Sequence, residues 1–452
     1  MPIDRNRLAE LLERERASFA ERHPRSRAAY RAAGANLLAN VPMTWMNKAA
    51  GRFPVYLAEA RGATVVDLDG HRYVDLCLGD TAAMAGHSPA PTVAAVQRRY
   101  AEAGGATAML PTEDAAWVGA ELARRFKVPR WSFSLTATDA NRWALRLARL
   151  VTGRPKVLVF NYCYHGTVDE SLVTLGHDGA AAREGNVGPP VDPTETTRVV
   201  EFNDLEALER ELAFGDVACV LMEPALTNIG IVLPAPGYLE GVRELTRRHG
   251  TLLLNDETHT FSAGPGGCTL AWGLEPDLVT VGKSIGGGVP AAAFGVSAEV
   301  AERVAARRDA DLVDTGGVGG TLAGNALSVA AMRATLEHVL TDEAFAGMTA
   351  LATRFTKGVE GVLEAHRLPW SAVQLGARTE YRFASPPPRD GGASAAAGDD
   401  ELDDYLHLYL HNRGVLMTPF HNMALMCPAT TEAGVDLHTE VFGAAVDELL
   451  GG

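Results

Sequence analysis

The chain has 452 residues, of which 47% are hydrophobic and 21% are charged. This length and composition predict a globular, enzyme-sized protein with a large buried core. The formal net charge is -15 and no long run of lysines or arginines occurs, which disfavours nucleic acid and anionic membrane surfaces as partners. A small molecule is therefore the expected ligand.

The five cysteines are scattered and never form a Cys-x-x-Cys pair. This pattern predicts neither a disulfide framework nor a metal site, and it fits a reducing compartment. The N-terminal residues are charged rather than apolar as in a signal peptide, and no segment reaches the roughly 18 uninterrupted apolar residues of a membrane span. We expect a soluble, cytoplasmic protein that does not enter a membrane.

Residues 1–84 are predicted to form an N-terminal arm and one segment of a small domain. Amphipathic helical periodicity runs to about residue 40. Alternating apolar residues then flank the turn signal Asp69-Gly70, which predicts a hairpin.

Residues 85–335 alternate short apolar runs with helical periodicity, which predicts an α/β fold. The expected strands are VLVFN from residue 157, CVLMEP from 219, TLLLND from 251, LVTVGK from 278 and AAFGVS from 292. This alternation is typical of a large domain with a mostly parallel sheet between two layers of helices. Residues 336–452 are predicted to complete the small α+β domain.

Two stretches lack this regularity. Residues 172–200 are rich in Gly and Pro and too long for an ordinary connection, so they form either a lid over a site or a surface loop. The stretch ASPPPRDGGASAAAGDDELDD from residue 384 predicts a flexible excursion within the small domain.

The segment TVGKSIGGGVP, residues 280–290, contains a Gly-Lys-Ser triplet around Lys283. A nucleotide-binding P-loop requires a glycine at position 277, where this chain has Asp277. The remaining chemistry for a lysine at a strand end is an imine with an aldehyde, and pyridoxal phosphate is the commonest aldehyde cofactor held in this way.

Pyridoxal phosphate needs a carboxylate at its ring nitrogen, donors for its phosphate and a flat face for its ring. Asp256 ends the apolar strand before the one that leads to Lys283. Thr136 and Thr138 precede Asp139, a natural N-cap, at the start of a helical pattern, and Tyr164 follows the strand VLVFN. Taken singly, each has an ordinary alternative as a turn, a helix cap or core packing.

At these motifs the chain resembles the class III aminotransferases, which are fold type I pyridoxal-phosphate enzymes, and most closely their glutamate-1-semialdehyde aminomutase branch. The similarity runs from about Pro54 to Leu340. The matching segments are Asp256-Glu257-Thr258, Pro276-Asp277-Leu278, Gly282-Lys283 with Gly286–Gly288, Thr136–Ala140, Tyr164-His165-Gly166 and Gly319-Gly320-Thr321.

The resemblance implies a role for each matching residue. Lys283 and Asp256 are implied to be catalytic. The implied cofactor-binding residues are Thr136, Ala137, Thr138, Tyr164, His165, Glu223, Asn228, Asp256, Thr258, Lys283 and Thr321. In the family the last threonine reaches the phosphate of the neighbouring subunit, which implies a homodimer with composite active sites.

The chain also departs from the family pattern. Ala137 replaces a glycine and Thr258 replaces the usual valine. The residues His259–Ala263, HTFSA, stand where the family often has Met-Thr-Gly-Phe-Arg. These changes are compatible with cofactor binding but put the usual aminomutase substrate in question.

Three functions follow from these patterns. The first is transfer of an amino group between an amino acid or amine and a keto acid. The second is an aminomutase or an epimerase that returns the amine to the same carbon skeleton, and the third is a non-catalytic scaffold. The donor, the acceptor, the stereochemistry and any assembly above a dimer stay open.

Two residues are candidates for substrate binding. Arg378, in LGARTEYRF, offers the bidentate partner that a substrate carboxylate requires. Its alternation with Glu380 and Arg382 also fits a solvated, salt-bridged strand face. Trp45 is a candidate for an aromatic pocket or, alternatively, a hydrophobic anchor of the N-terminal arm.

Overall fold

The computed structural model describes residues 3–177 and 179–451. Its strands, in chain order, are β1 Leu57–Arg61, β2 Thr64–Asp67, β3 Arg72–Asp75, β4 Arg130–Ser134, β5 Lys156–Phe160, β6 Val173–Gly176, β7 Gly179–Ala182, β8 Thr197–Val200, β9 Val217–Met222, β10 Leu252–Asp256, β11 Leu278–Val281, β12 Ala292–Val296, β13 Ser371–Leu375, β14 Arg378–Arg382, β15 Val415–Leu416 and β16 Met423–Leu425.

The α-helices, in chain order, are α1 Arg5–Arg22, α2 Pro24–Ala33, α3 Ala90–Gln97, α4 Glu113–Phe126, α5 Ala137–Thr152, α6 Pro193–Thr196, α7 Leu205–Leu212, α8 Tyr238–Arg248, α9 Gly267–Ala271, α10 Ala298–Ala306, α11 Ala326–His338, α12 Asp342–His366, α13 Gly391–Ala396, α14 Asp400–Asn412 and α15 Glu432–Leu450. Within the described residues, no helix is long and apolar enough to cross a membrane.

The chain divides into two compact units. The large unit comprises Pro89–Phe345 and Pro388–Ala396, and the small unit comprises the chain up to Ser88, Ala346–Pro387 and the chain from Ala397. The sequence predicts boundaries after residues 84 and 335, a few residues before those of the two units. As predicted, the small unit is built from N- and C-terminal segments.

The large unit contains a seven-stranded sheet in the order β4-β12-β11-β10-β9-β5-β8. Every neighbouring pair is parallel except those of β12, which is antiparallel to both β11 and β4. All five predicted strands are confirmed within two residues of their predicted starts. The strands β4 and β8 were missed, because polar residues interrupt RWSFS and TRVV.

Both faces of this sheet are covered, as the buried strands predicted. Along β5, Val157 and Val159 pack in one hydrophobic cluster with residues of α5. Leu158 and Phe160 pack in a second cluster with residues of α7 and α8. Because successive strand residues face opposite sides, helices lie on both faces of the sheet.

The stretch 172–200 is more ordered than its composition indicated. It contains the antiparallel hairpin of β6 and β7, the short helix α6 and the strand β8, which adds to the large sheet. Pro193 begins α6, and Asp192 caps it by accepting a hydrogen bond from the N–H of Thr194 at 2.9 Å. Asp178, within this stretch of the sequence, lies outside the described residues.

The second irregular stretch belongs only partly to the small unit. Residues 388–396 cluster with the large unit, where the Glu201 carboxylate accepts hydrogen bonds from the N–H groups of Gly391 and Gly392. A side chain at position 391 would lie 2.2 Å from the carbonyl oxygen of Asn161. The glycines therefore serve close backbone packing here rather than an excursion within the small domain.

The small unit contains two antiparallel-dominated sheets. One has the order β1-β2-β3-β15, and the other β13-β14-β16. The predicted hairpin is confirmed: β2 and β3 pair antiparallel around Asp69-Gly70, and Gly70 has φ 93°. The predicted helical arm is two helices, because Pro24 lacks an N–H and begins α2 directly after α1 ends.

A buried arginine of α4 ties together several carbonyl groups of the large unit. Arg125 donates hydrogen bonds to the carbonyl oxygens of Leu336 at 2.8 Å, Leu340 at 2.9 Å and Pro265 at 3.1 Å, and its Nε donates to Glu121 at 2.7 Å. Only 2% of its side chain is exposed. Arg125 thus supplies donors to carbonyls that water does not reach easily.

We predict that Arg125→Met destabilises the large unit by about 1–3 kcal/mol for each buried carbonyl left without a donor. Arg124→Met is the matched control, since Arg124 pairs with the same Glu121 but is 56% exposed. The control should cost only about 0.2–1 kcal/mol. Thermal unfolding midpoints of the two variants measure the difference, and equal midpoints would contradict the assigned role.

Candidate active site

The predicted catalytic residues lie at the carboxyl edge of the large sheet. Asp256 is the last residue of β10. Lys283 lies two residues after Val281, the last residue of β11. Glu223 directly follows β9. Because β9, β10 and β11 are parallel neighbours, these strand ends share one edge of the sheet, where open α/β folds bind ligands.

Asp256 is a buried carboxylate with three hydrogen-bond donors. Its Oδ2 accepts from Asn141 Nδ2 at 2.8 Å and from His165 Nδ1 at 2.9 Å, and its Oδ1 accepts from the N–H of Thr258 at 3.0 Å. Burial alone would raise the pKa of Asp256, but the donors, His165 foremost, lower that pKa well below its usual range. Asp256 is therefore an anion inside the large unit.

His165 and Asn141 hold this carboxylate in place. Burial alone would lower the pKa of His165, but Cys163 and Asp256 raise that pKa above its usual value, so the imidazole is a cation at neutral pH. Asn141 also accepts a hydrogen bond from the Thr280 hydroxyl at 2.7 Å. Residues of α5, β10 and β11 are thus joined through one buried polar network.

Lys283 adopts φ 54°, in the left-handed region that non-glycine residues rarely occupy. Such backbone conformations concentrate at functional sites. Its Nζ lies 2.8 Å from Nε2 of His259, and both side chains are half-buried. One hydrogen bond at this distance needs one proton between the two nitrogens, so His259 can take a proton from Lys283 or return it.

The N-terminus of α5 lies beside the segment Tyr164-His165-Gly166. Thr136, rather than the predicted Asp139, is the N-cap: its hydroxyl accepts a hydrogen bond from the N–H of Asp139 at 3.1 Å. Ala137 and Thr138 form the first turn, whose N–H groups have no partner within the helix. A side chain at position 166 would lie 2.0 Å from Thr138 Oγ1, so this close approach requires glycine.

The other predicted cofactor contacts surround the same sheet edge. Glu223 is buried and accepts a hydrogen bond from the hydroxyl of Thr227. Asn228 donates to the carbonyl oxygen of Tyr162 at 2.9 Å, which leaves its second N–H for another acceptor. Tyr164 is half-buried after β5, and Thr321 is exposed.

The chemistry of these residues fits pyridoxal phosphate. An anionic Asp256 matches a protonated ring nitrogen, and the first turn of α5 matches a phosphate, because the N-terminus of a helix attracts anions. Thr258 Oγ1 and His165 Nε2 are buried and have no hydrogen-bond partner within residues 3–177 and 179–451. Buried polar atoms of this kind indicate a polar ligand between the strand ends.

Arg378 lies in the small unit and is completely buried. Its Nη2 is 3.5 Å from Glu380 Oε2, and Glu380 Oε1 is 3.0 Å from His421 Nδ1. Burial would raise the pKa of Glu380, but His421 and then Arg378 lower it. A solvated strand face, the alternative indicated by alternation, is wrong, because β14 is the central strand of its sheet and is buried on both faces.

Trp45 also belongs to the small unit, where 37% of it is exposed. Its ring centroid lies 5.6 Å from that of Phe420, in an edge-to-face arrangement. Trp45 therefore packs against another aromatic residue of the small unit. The roles of Trp45 and Arg378 in substrate binding stay predictions.

The stretch 172–200 lines a cavity of about 840 Å³ together with Arg142, Arg146 and Arg149 of α5. None of the predicted cofactor-binding residues lines this cavity. The helix α5 therefore presents its N-terminus to the candidate active site and its arginines to the cavity. Whether the stretch is a lid stays a prediction.

Two residues of the site were not predicted from the sequence. Asn141 interrupts the apolar face of α5, and a buried asparagine within a helix is a signal that sequence analysis can use. The sequence marks His259 only as the first residue of the segment His259–Ala263, which departs from the family pattern. Its distance to Lys283 depends on how β10 and β11 pair, which no spacing rule reveals.

Comparison with known proteins agrees with this geometry. The family model described as aminotransferase class-III matches residues 45–441. A protein named glutamate-1-semialdehyde 2,1-aminomutase from Neisseria meningitidis is 34% identical over 376 residues, which cover 82% of this chain and 86% of that protein.

Solved structures show the same similarity. The crystal structure of a glutamate-1-semialdehyde-aminomutase from Pseudomonas aeruginosa PAO1 matches with a TM-score of 0.96 and 50% identity, over 99% of this chain and 100% of that one. A lysine-to-alanine variant of that protein was solved in complex with PMP. An omega-transaminase from Sphaerobacter thermophilus matches with a TM-score of 0.85 and 28% identity, over 96% of this chain and 100% of that one. The chain therefore belongs to the class-III aminotransferase family, and its cofactor is pyridoxal phosphate.

Proposed function

We propose that the chain is an aminomutase that exchanges an amino group and a carbonyl group between neighbouring carbons of one substrate, with glutamate 1-semialdehyde as that substrate. The observation that carries this proposal is the 50% identity, over 99% of the chain, to a glutamate-1-semialdehyde-aminomutase. The aminomutase, considered second on sequence alone, thus becomes the first candidate.

Transfer of the amino group to a separate keto acid is the second candidate. It is favoured by the residues His259–Ala263, which replace the segment that often follows the catalytic aspartate in the family. The similarity to an omega-transaminase is compatible with it. Both reactions use the same lysine and differ only in whether a second substrate accepts the amine.

In the proposed mechanism Lys283 moves the proton. When bound, pyridoxal phosphate withdraws electrons from the substrate carbon that carries nitrogen, which makes the proton on that carbon acidic. Lys283 Nζ removes this proton and returns it to the neighbouring position. Before this step His259, 2.8 Å away, takes a proton from the ammonium form of Lys283, so that Nζ enters the step as a free amine.

The remaining residues of the site would bind the cofactor and orient it. The Asp256 anion keeps the ring nitrogen protonated, and His165 fixes the direction of that carboxylate. The first turn of α5 would hold the phosphate through its N–H groups, and Glu223, Asn228 and Tyr164 would contact the rest of the cofactor. We further propose a homodimer in which Thr321, exposed in one subunit, reaches the phosphate site of the other.

The two candidate reactions differ in one measurable requirement. We predict that holoenzyme incubated with glutamate 1-semialdehyde alone forms the isomeric 1-amino-2-ketone over many turnovers, because no acceptor is consumed. Proton NMR of the reaction measures the product, and Lys283→Ala should form none. Conversion that stops after one equivalent and resumes on addition of a keto acid would identify a transaminase.

The same assay tests the proposed substrate contacts. Arg378→Lys keeps the charge but loses the bidentate geometry, so it should raise KM more than it lowers kcat. Trp45→Leu should also act mainly on KM. Unchanged KM values for both variants would remove these residues from the substrate site.

The pairing of Lys283 with His259 predicts a selective defect. His259→Leu should lower kcat by about 10²-fold, the lower end of the range for general acid–base groups, while the bound cofactor is retained. The pH dependence of kcat should lose the ionisation that belongs to this pair. His338→Leu, at an exposed position of α11, is the control and should leave both unchanged. Wild-type kcat and pH dependence in His259→Leu would exclude a proton-transfer role.

The pKa shifts of Asp256 and His165 predict a defined pH dependence of stability. A lowered Asp256 pKa stabilises the fold above about pH 3.9, and a raised His165 pKa stabilises it fully below about pH 6.5. Both residues therefore contribute fully to folding stability between about pH 3.9 and pH 6.5. The contribution of His165 is lost as the pH rises from there through the raised pKa of the folded state. The difference in thermal midpoint between wild type and Asp256→Asn should therefore be largest near pH 5 and smaller near pH 9. A difference independent of pH would contradict the ion pair.

A further inference from the structure

Three side chains that commonly ligate metals converge in the small unit. His23 lies between α1 and α2, Asp67 is the last residue of β2, and His71 directly precedes β3. One ligand atom from each lies within 4.8 Å of the other two. His23 and Asp67 are buried, whereas the His71 side chain is 26% exposed. The cluster is thus internal with one side open to solvent.

The tautomer of His23 is fixed by the backbone. Its Nδ1 lies 2.7 Å from the carbonyl oxygen of Phe19, which can only accept, so Nδ1 carries a proton. In this tautomer of the neutral ring, Nε2 carries a lone pair that can bind a metal. At metal-ligating histidines the other ring nitrogen usually donates to a group such as a backbone carbonyl, as Nδ1 does here.

Oxygen and nitrogen atoms of three other residues surround this lone pair. His23 Nε2 lies 2.9 Å from the Tyr73 hydroxyl and 3.3 Å from Asp67 Oδ2. The Tyr73 hydroxyl also lies 2.7 Å from Asp67 Oδ2, and His71 Nδ1 lies 3.2 Å from the same oxygen. The Asp67 carboxylate therefore faces one nitrogen of each histidine.

The distances match those of a small coordination sphere. Ligands about 2.0–2.1 Å from a tetrahedral zinc ion lie about 3.3 Å from each other. The observed separations are 3.3 Å from His23 Nε2 to Asp67 Oδ2 and 3.2 Å from His71 Nδ1 to the same oxygen. The ligand atoms of the two histidines lie within 4.8 Å of each other.

The backbone holds the cluster in this arrangement. Asp67 and His71 flank the hairpin turn and exchange hydrogen bonds, N–H of Asp67 to O of His71 at 3.1 Å and N–H of His71 to Oδ1 of Asp67 at 2.9 Å. Asp69 in the same turn accepts hydrogen bonds from the N–H groups of Arg25 and Ser26 at the start of α2. The hairpin is thereby fixed to the residues that follow His23.

We propose that His23 Nε2, Asp67 Oδ2 and His71 Nδ1 bind one divalent transition-metal cation of the zinc type. Two imidazoles and one carboxylate are a ligand set that suits zinc, and the exposed side at His71 admits water as the fourth ligand. Tyr73 then donates to Asp67 as an outer partner. The cation joins the α1–α2 junction to the hairpin and is independent of the proposed reaction.

The test uses Co²⁺ as a spectroscopic probe for the zinc site. Holoenzyme freed of metal with a chelator and dialysed should bind one equivalent of Co²⁺ with visible d–d bands, which Zn²⁺ abolishes by displacement. His71→Ala should weaken binding by more than the roughly 10- to 100-fold that loss of an outer partner costs. His71→Cys should bind Co²⁺ and add a sulfur-to-cobalt charge-transfer band in the near ultraviolet.

His366→Ala is the matched control. The side chain of His366 is 26% exposed, like that of His71, and pairs with one carboxylate, Asp447 at 3.3 Å. This variant should bind Co²⁺ as wild type does. No binding by wild type, equal binding by wild type and His71→Ala, or a His71→Cys complex without the charge-transfer band would each overturn the proposal. If His71→Ala does not fold, the Co²⁺ binding of wild type and the charge-transfer band of His71→Cys test the proposal without it.

Discussion

The arrangement of the large unit depends on one buried anion, the carboxylate of Asp256. A charge of this kind is tolerated inside a protein only where donors or an opposite charge compensate for lost hydration. His165, Asn141 and the N–H of Thr258 supply that compensation. Each comes from a different part of the unit, so the parallel sheet, α5 and the segment after β5 must pack together before the carboxylate is stable. The need to compensate the buried Asp256 carboxylate thus constrains both the fold and the site.

The chemistry of the site follows from two pairs of residues at the carboxyl edge of the large sheet. Asp256 with His165 is a fixed ion pair that suits a group which must stay protonated. Lys283 with His259 is instead a pair of nitrogens joined by one hydrogen bond, which suits a group that gains and loses a proton. Asp256 with His165 therefore suits holding a proton and Lys283 with His259 suits moving one, as the proposed proton shift between neighbouring carbons of a substrate would require.

The small unit is organised around buried charge as well. Arg378, Glu380 and His421 form a network within β14 and the segment that precedes β16. His23, Asp67 and His71 converge around the hairpin of β2 and β3. Both groups lie in a unit assembled from distant chain segments. Spacing therefore reveals the alternation of Arg378 and Glu380, but it does not reveal that His421 or His23 contacts its partners. The expectation that the chain has no metal site rested on its cysteines alone.

The sequence by itself determined five of the seven strands of the large sheet, the lysine and aspartate at the ends of two of them and the cofactor, because apolar runs and strand-end residues are local signals. It placed the helix cap at Asp139 rather than Thr136, since capping depends on where the chain leaves the helix. Only the tertiary structure decided that His259 meets Lys283 and that Arg378 is buried. Such contacts join residues through strand pairing and packing, and neither leaves a regular spacing along the chain.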